Sequence, residues 1–213
     1  MPRINSDTAL RSMLFTPGSS EKMLSKSLTS PSDASLYDLE DSVAEDMKSK
    51  ARELVGAIIK ENENSNQGPP IVLVRVNDVN SEYFEKDMDE IATQGLDGIF
   101  LPKPEVEADV RKADAIITKL ETQRKLGIDS IGIILQMESA LGIHNCFKLC
   151  KSAKRVVGVN LGSAEDADLC RDLGAQWTPD GNTLHYSRSK VLLEARAAKM
   201  PHPTDGVYMD LQN

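Results

Sequence analysis

Seven short runs rich in β-branched and other apolar residues recur along this 213-residue chain, separated by longer stretches with helical periodicity. No other feature of the sequence constrains the fold as strongly. The alternation predicts parallel βαβ units and an α/β class. The runs are Ser12 to Thr16, Ser35 to Leu39, Ile71 to Val76, Gly98 to Leu101, Ile131 to Met137, Val156 to Leu161 and Gly206 to Met209. Between them, Glu45 to Lys60 and Asp109 to Lys125 are amphipathic, with charged faces that read as solvated helix exteriors. Glu61 to Pro70, with its Asn, Gln, Gly and Pro content, reads as a surface connection. No composition shift marks a second unit, so residues 1–213 are read as one domain.

Composition narrows the function classes. With 25 Lys+Arg against 33 Asp+Glu the formal charge is −8, which excludes a basic nucleic-acid binder. No apolar run approaches the roughly 18 to 20 residues of a membrane span, and the first residues lack the apolar stretch of a secretory signal. Three cysteines, Cys146, Cys150 and Cys170, are an odd and sparse set that suits reduced thiols, so a cytoplasmic location is expected.

Two architectures accommodate the alternation: a doubly wound open sheet and a closed barrel. Neither G-x-G-x-x-G nor G-x-x-x-x-G-K-[ST] occurs, which argues against a nucleotide-binding open sheet. In both architectures ligands sit at the C-terminal ends of the strands, and chemistry is sought there.

The strand ends are polar and largely charged. After the first strand, Pro17-Gly18-Ser19-Ser20 leads into a helix with Lys22 and Lys26, either a phosphate-holding turn or an ordinary one with surface lysines. Asp38-Leu39-Glu40-Asp41 closes the second, and alternation sends Asp38 and Glu40 to one side. Such close carboxylates need a cation or donors between them, or else form an acidic helix start. Arg75, between Val74 and Val76, requires an anionic partner, either a substrate carboxylate or a structural salt bridge. Lys103 between Pro102 and Pro104 reads as an ion pair before a positioned cation or Schiff-base nucleophile. Glu138 after the fifth strand and Glu165-Asp166 after the sixth converge on one sheet edge, and hard oxygens of this kind suit Mg2+. His144, Cys146 and Cys150 match no zinc spacing, and no G-x-S-x-G elbow partners His185 or His202.

Taken in order, nine segments resemble the citrate lyase beta subunit-like family, which includes citryl-CoA, malyl-CoA and citramalyl-CoA lyases. They are Arg11 to Gly18, Asp38 to Ala44, Val74 to Asn77, Leu101 to Lys103, Met137 to Gly142, Gly162 to Asp166, Thr178 to Gly181, Tyr186 to Arg188 and Asp205 to Asp210. The resemblance implies a TIM-type (β/α)8 barrel, a trimer or hexamer, and a Mg2+-dependent carbon–carbon lyase. Its substrates would be 3-hydroxy-acid thioesters of CoA or an acyl-carrier protein. By position, Glu138 and Asp166 become the metal ligands and Arg75 the clamp on the oxo-acid carboxylate. Glu40 and Asp41 would meet the metal's waters, while Phe15, Lys22, Lys26 and the stretch from Lys48 to Arg52 would meet the thioester arm.

Two departures accompany the resemblance. The tract from Gly162 to Asp166 carries an extra residue; counting back from Leu173-Gly174 selects Asp168, whereas keeping the acidic pair against the strand end selects Asp166, the preferred reading. The seventh expected strand is followed by four residues, so the eighth strand and a C-terminal lid are not accounted for. The alternative function is therefore a catalytically idle binding or assembly subunit that keeps the metal and CoA contacts.

Overall fold

A computed structural model describes residues 4–63 and 71–207. The strands are β1 (Met13–Pro17), β2 (Ala34–Asp38), β3 (Ile71–Arg75), β4 (Gly98–Pro102), β5 (Gly132–Met137), β6 (Val156–Leu161) and β7 (His202–Asp205). The helices are α1 (Glu21–Ser27), α2 (Lys48–Glu63), α3 (Phe84–Ile91), α4 (Glu107–Gln123), α5 (Ala140–Lys151), α6 (Asp168–Leu173) and α7 (His185–Ala197). All seven strands run parallel in the order of the chain, each paired with the next, in a curled TIM-like sheet.

Every residue of β2, β3, β4 and β5 is buried, because helices cover one face and the curl of the sheet covers the other. That is why these strands read as unbroken apolar runs rather than alternating ones. Two separate cores record the two faces. The larger joins Val72, Val74, Ile99, Leu101 and Leu135 to helix residues such as Val55, Met88, Ile117 and Leu149. The smaller holds Leu36, Leu73, Phe100 and Ile134 inside the curl, where Ile4 and Leu10 close it from the N-terminal segment. At that same end the Nε2 of His202 lies 2.7 Å from the carbonyl oxygen of Asn5.

The first six strands fall within a residue or so of expectation; the seventh does not. Strand β7 is His202–Asp205, ahead of the expected Gly206 to Met209. Gly206 and Val207 lie beyond it, and Tyr208 and Met209 are outside the described residues. His-Pro-Thr-Asp has one β-branched residue, Thr204, and no large aliphatic or aromatic hydrophobe, yet among the described residues β7 pairs with β6 alone and is half exposed, the kind of position where a proline is tolerated. Of the expected connection from Glu61 to Pro70, the first three residues belong to α2 and the rest lie outside the described residues. No helix among the described residues is long and apolar enough to cross a membrane.

Register places the chemistry. Asp38 aligns with Pro17 and Arg75, Pro102 with Gln136, and Leu161 with both Met137 and Asp205, so the polar ends of the strands form one rim.

Candidate functional site

The centre of the rim is an arginine held by its neighbour in register. Asp38, fully buried at the end of β2, accepts hydrogen bonds from Arg75 Nε at 2.6 Å and Nη2 at 2.8 Å, and from the backbone N–H groups of Glu40 and Ser42. Burial pushes the Asp38 carboxyl up, but the Arg75 bonds outweigh it and hold the group below its ordinary value. This two-pronged grip fixes the plane of the guanidinium. Its carbon stands 4.9 Å from the centroid of the Phe15 ring. The remaining nitrogen, Nη1, lies 3.0 Å from Glu40 Oε2 and 3.8 Å from Asp41 Oδ2. Glu40 Oε2 is buried and, despite that ion pair, accepts no directed hydrogen bond.

Glu40 leads to the second half of the site. Its Oε1 is 3.1 Å from the Lys103 ammonium, which is also 2.6 Å from Asp168 Oδ2. Lys103 follows β4 with φ of 51°, a left-handed conformation costly for a residue with a side chain. Its backbone N–H donates to Glu138 Oε1 at 3.1 Å, while Gln136 Nε2 donates to Glu138 Oε2 at 2.7 Å. Burial, then the charge of Glu40, pushes the Glu138 carboxyl up to about 7. Two carboxylates this close to a shared low-dielectric space resist ionising together.

Beside these groups opens a cavity of about 720 Å³, lined by Lys103, Glu138 and Asp168, with Asp78, Asp109 and Asp172 further out. Counting Glu105, its walls carry six carboxylates against Lys103 and Arg171. Glu138, Asp168 and the adjacent Glu40 offer oxygen atoms alone, a donor set for a hard divalent cation. Among the described residues no group of three or more acidic, histidine or cysteine side chains is poised to hold a metal by itself. One or two carboxylates, with water or substrate oxygens completing the shell, is nevertheless how Mg2+ is ordinarily held. The residues present fit it.

The sequence-derived set is thus only partly assembled. Arg75, Glu40, Asp41 and Glu138 come together, and the ion-pair reading of Lys103 matches its contacts. Asp166 does not join them: it is exposed, has φ of 57° and is absent from the cavity wall, which Asp168 supplies from the first position of α6. The turn after β6 thus puts Asp168, the residue selected by counting back from Leu173-Gly174, on the cavity wall and leaves Asp166, the preferred reading, exposed. Phe15 sits beneath Arg75, whereas Lys22 and Lys26 are exposed on α1 and outside the cavity. Lys48 and Arg52 are engaged internally. The Lys48 ammonium donates to the carbonyls of Leu39 and Glu40 and to Asn77 Oδ1, and Arg52 faces Asp87 at 3.6 Å. Sequence reasoning missed Gln136 as the donor that steadies Glu138 and Asp38 as the anchor of Arg75. The register between strands two and three signalled the second, since it aligns an aspartate with an arginine.

Residues 11–213 match the HpcH/HpaI aldolase/citrate lyase family. The chain is 33% identical over 208 residues to citrate lyase subunit beta of Escherichia coli K12, covering 95% of this chain and 65% of that protein. It is 31% identical over 198 residues to a (3S)-malyl-CoA thioesterase of Cereibacter sphaeroides, covering 93% of this chain and 63% of that one. The protein CitE of Mycobacterium tuberculosis, in complex with magnesium, acetoacetate and coenzyme A, superposes with a TM-score of 0.72 at 24% identity, covering 94% of this chain and 67% of that one. The chain therefore spans about 65% of the length of the Escherichia coli relative.

Proposed function

The chain belongs to the HpcH/HpaI aldolase/citrate lyase family, and from that premise we propose that it is a Mg2+-dependent carbon–carbon lyase for 3-hydroxy-acid thioesters of the citryl-, malyl- or citramalyl-CoA type. The observation that carries the proposal is the Nη1 edge of Arg75, which Asp38 holds toward Glu40 and Asp41 on the same rim as the Glu138 and Asp168 carboxylates. A relative named citrate lyase subunit beta, another named (3S)-malyl-CoA thioesterase and a structure holding magnesium and coenzyme A support the substrate class and the metal.

Each residue has a definable task. Glu138 and Asp168 would hold the cation, steadied by Gln136 and the Lys103 backbone. When bound, that cation supplies positive charge where the oxo-acid oxygens gain electron density. Arg75 turns its Nη1 edge, which faces Glu40, to the oxo-acid carboxylate, and because Asp38 prevents the fork from rotating, little orientational freedom is lost on binding. Phe15 floors the guanidinium and excludes water from its lower face. Glu40 and Asp41 sit beside the same edge and accept from waters or from a substrate hydroxyl. As the substrate hydroxyl gives its proton to Glu40 or Asp41 and its oxygen becomes the carbonyl of the oxo acid, the bond between the hydroxyl-bearing carbon and the carbon next to the thioester breaks; its electron pair passes to the thioester as an enolate, which takes a proton at carbon to give the acyl thioester. The cavity's acidic walls repel the phosphates of CoA, and Lys22 and Lys26, exposed on α1 outside the cavity, are the cations assigned to the thioester arm.

The test is oxo-acid release from citryl-, malyl- and citramalyl-CoA in the presence of Mg2+, with Glu138→Ala and excess EDTA as controls. Release abolished by both controls is expected and identifies the thioester. No release from any of the three, by protein that still binds Mg2+ and acetyl-CoA, would overturn the lyase and leave a binding subunit.

A further inference from the structure

Lys103 touches both halves of the cation site with different atoms. Its backbone N–H holds Glu138 Oε1, and its ammonium lies against Asp168 Oδ2 and Glu40 Oε1. With Glu138 and Asp168 as the metal's protein ligands, the ammonium occupies one of the oxygens the metal would use. We propose that Lys103 is an internal competitor for the divalent cation: it neutralises Asp168 and Glu40 in the metal-free chain and must leave Asp168 before the cation binds. This inference rests on the metal reading given above.

The geometry supports competition rather than shared ligation. An ammonium 2.6 Å from a carboxylate oxygen and a Mg2+ about 2.1 Å from the same oxygen would be two cations in near contact, with only one carboxylate between them. The arrangement also lets the side chain leave without dismantling the site. Pro102 and Pro104 stiffen the backbone on either side, so the N–H can stay on Glu138 while four methylene groups swing the ammonium into the cavity it already lines. The side chain is one-third exposed, so water can take up the released charge. Without it, Glu40 and Asp168 would lose the cation that lies between them.

The experiment is Mn2+ binding to the full chain, by calorimetry and by loss of the free-ion EPR signal, for wild type, Lys103→Met, Lys103→Arg, Asp168→Asn and Glu138→Gln. Lys103→Met should bind Mn2+ about fivefold more tightly, the worth of a half-buried ion pair, while Lys103→Arg, which keeps the charge, should not tighten. Asp168→Asn and Glu138→Gln should weaken binding at least about tenfold. Unchanged or weaker binding by Lys103→Met, with the two carboxylate variants still impaired, overturns the competition alone. Binding insensitive to both carboxylate substitutions overturns the metal reading as well. Thermal melts without metal accompany each variant, and Lys103→Gln replaces Lys103→Met if the latter does not fold.

Discussion

Two buried arginines at opposite ends of the sheet show how one residue type serves two purposes. Arg155, fully buried just before β6, spends every N–H: Nε on Asp114, Nη1 on Glu121 and the carbonyl of Ile131, Nη2 on Glu121 and Thr118. Its principal partner is just as closed, because Glu121 also accepts from Ser130 and from the backbone of Asp129 and Ile131. Arg75, nearly as buried, is gripped on one edge by Asp38 and leaves Nη1 beside a carboxylate oxygen that accepts no directed bond. Burial alone therefore does not mark function. What differs is whether the donors close on the protein itself, and in a βα-barrel sheet the closed cluster lies at the N-terminal end and the open one at the C-terminal end.

The largest expected effect tests the closed end. Arg155→Met deletes all five bonds donated by the guanidinium and removes the countercharge of buried Glu121, and should cost about 3–5 kcal/mol in urea unfolding. Arg75→Met deletes only the two bonds to Asp38, which keeps two backbone donors, and should cost roughly 1–3 kcal/mol. Equal costs would erase the distinction. The next effect reverses the roles: Arg75→Lys loses the planar fork and should lower kcat/KM about a hundredfold, roughly 2.7 kcal/mol, with a stability change under about 1 kcal/mol. Arg155→Lys should leave kcat/KM of the folded fraction unchanged. Loss of turnover from Arg155→Lys, or none from Arg75→Lys, would break the assignment of function to the open end.

The two ends should also respond to pH with opposite signs. Glu138, raised to about 7 by burial and by Glu40, binds its proton more tightly folded than unfolded. In EDTA its contribution is fully present below about 4.5 and is lost as pH rises through about 7, a change worth roughly 3 kcal/mol that Glu138→Gln should remove. Glu121 is the reverse case. Burial raises it, but Arg155 and the backbone donors prevail and hold it low, so its contribution is present above the ordinary glutamate range and lost as pH falls through its folded value. Glu121→Gln should flatten the acid limb alone. Urea midpoints from about pH 2 to about pH 9, roughly one unit apart, check both, and slopes of the same sign would contradict the contrast.

What was legible in the sequence follows the same division. Strands buried on both faces are written as apolar runs, so β2 to β6 could be read directly, whereas β7 could not because an edge strand with one partner needs little apolar content. Arg75 stood out because charge inside Val74-Arg75-Val76 demands a partner. Arg155 did not, because its partners Asp114, Thr118 and Glu121 lie on one face of α4 far earlier in the chain, and nothing local distinguishes them from solvated charges. The carboxylates were visible as strand-end residues, but which of them meet depends on turns. Glu138 follows its strand immediately and so lies on the rim, whereas the aspartates after β6 sit in and beyond a turn, and only the folded turn shows that Asp168 rather than Asp166 reaches the cavity wall.

That last difference yields the smallest expected effect and the sharpest use of it. Asp166 and Asp168 are two residues apart, both acidic and both beyond β6, yet one is exposed in a turn with positive φ and the other opens α6 on the cavity wall. Asp166→Asn should leave Mn2+ affinity and kcat/KM within about twofold, and stability within about 0.5 kcal/mol, as expected of an exposed side chain. Asparagine tolerates the left-handed conformation as well as aspartate does, so the substitution removes charge without straining the turn. A fall in affinity comparable to that of Asp168→Asn would mean that the turn rearranges when the cation binds and carries Asp166 inward. The open end of the sheet would then be a site whose second carboxylate is chosen by the metal, whereas an unaltered Asp166→Asn protein leaves that choice to the register of α6.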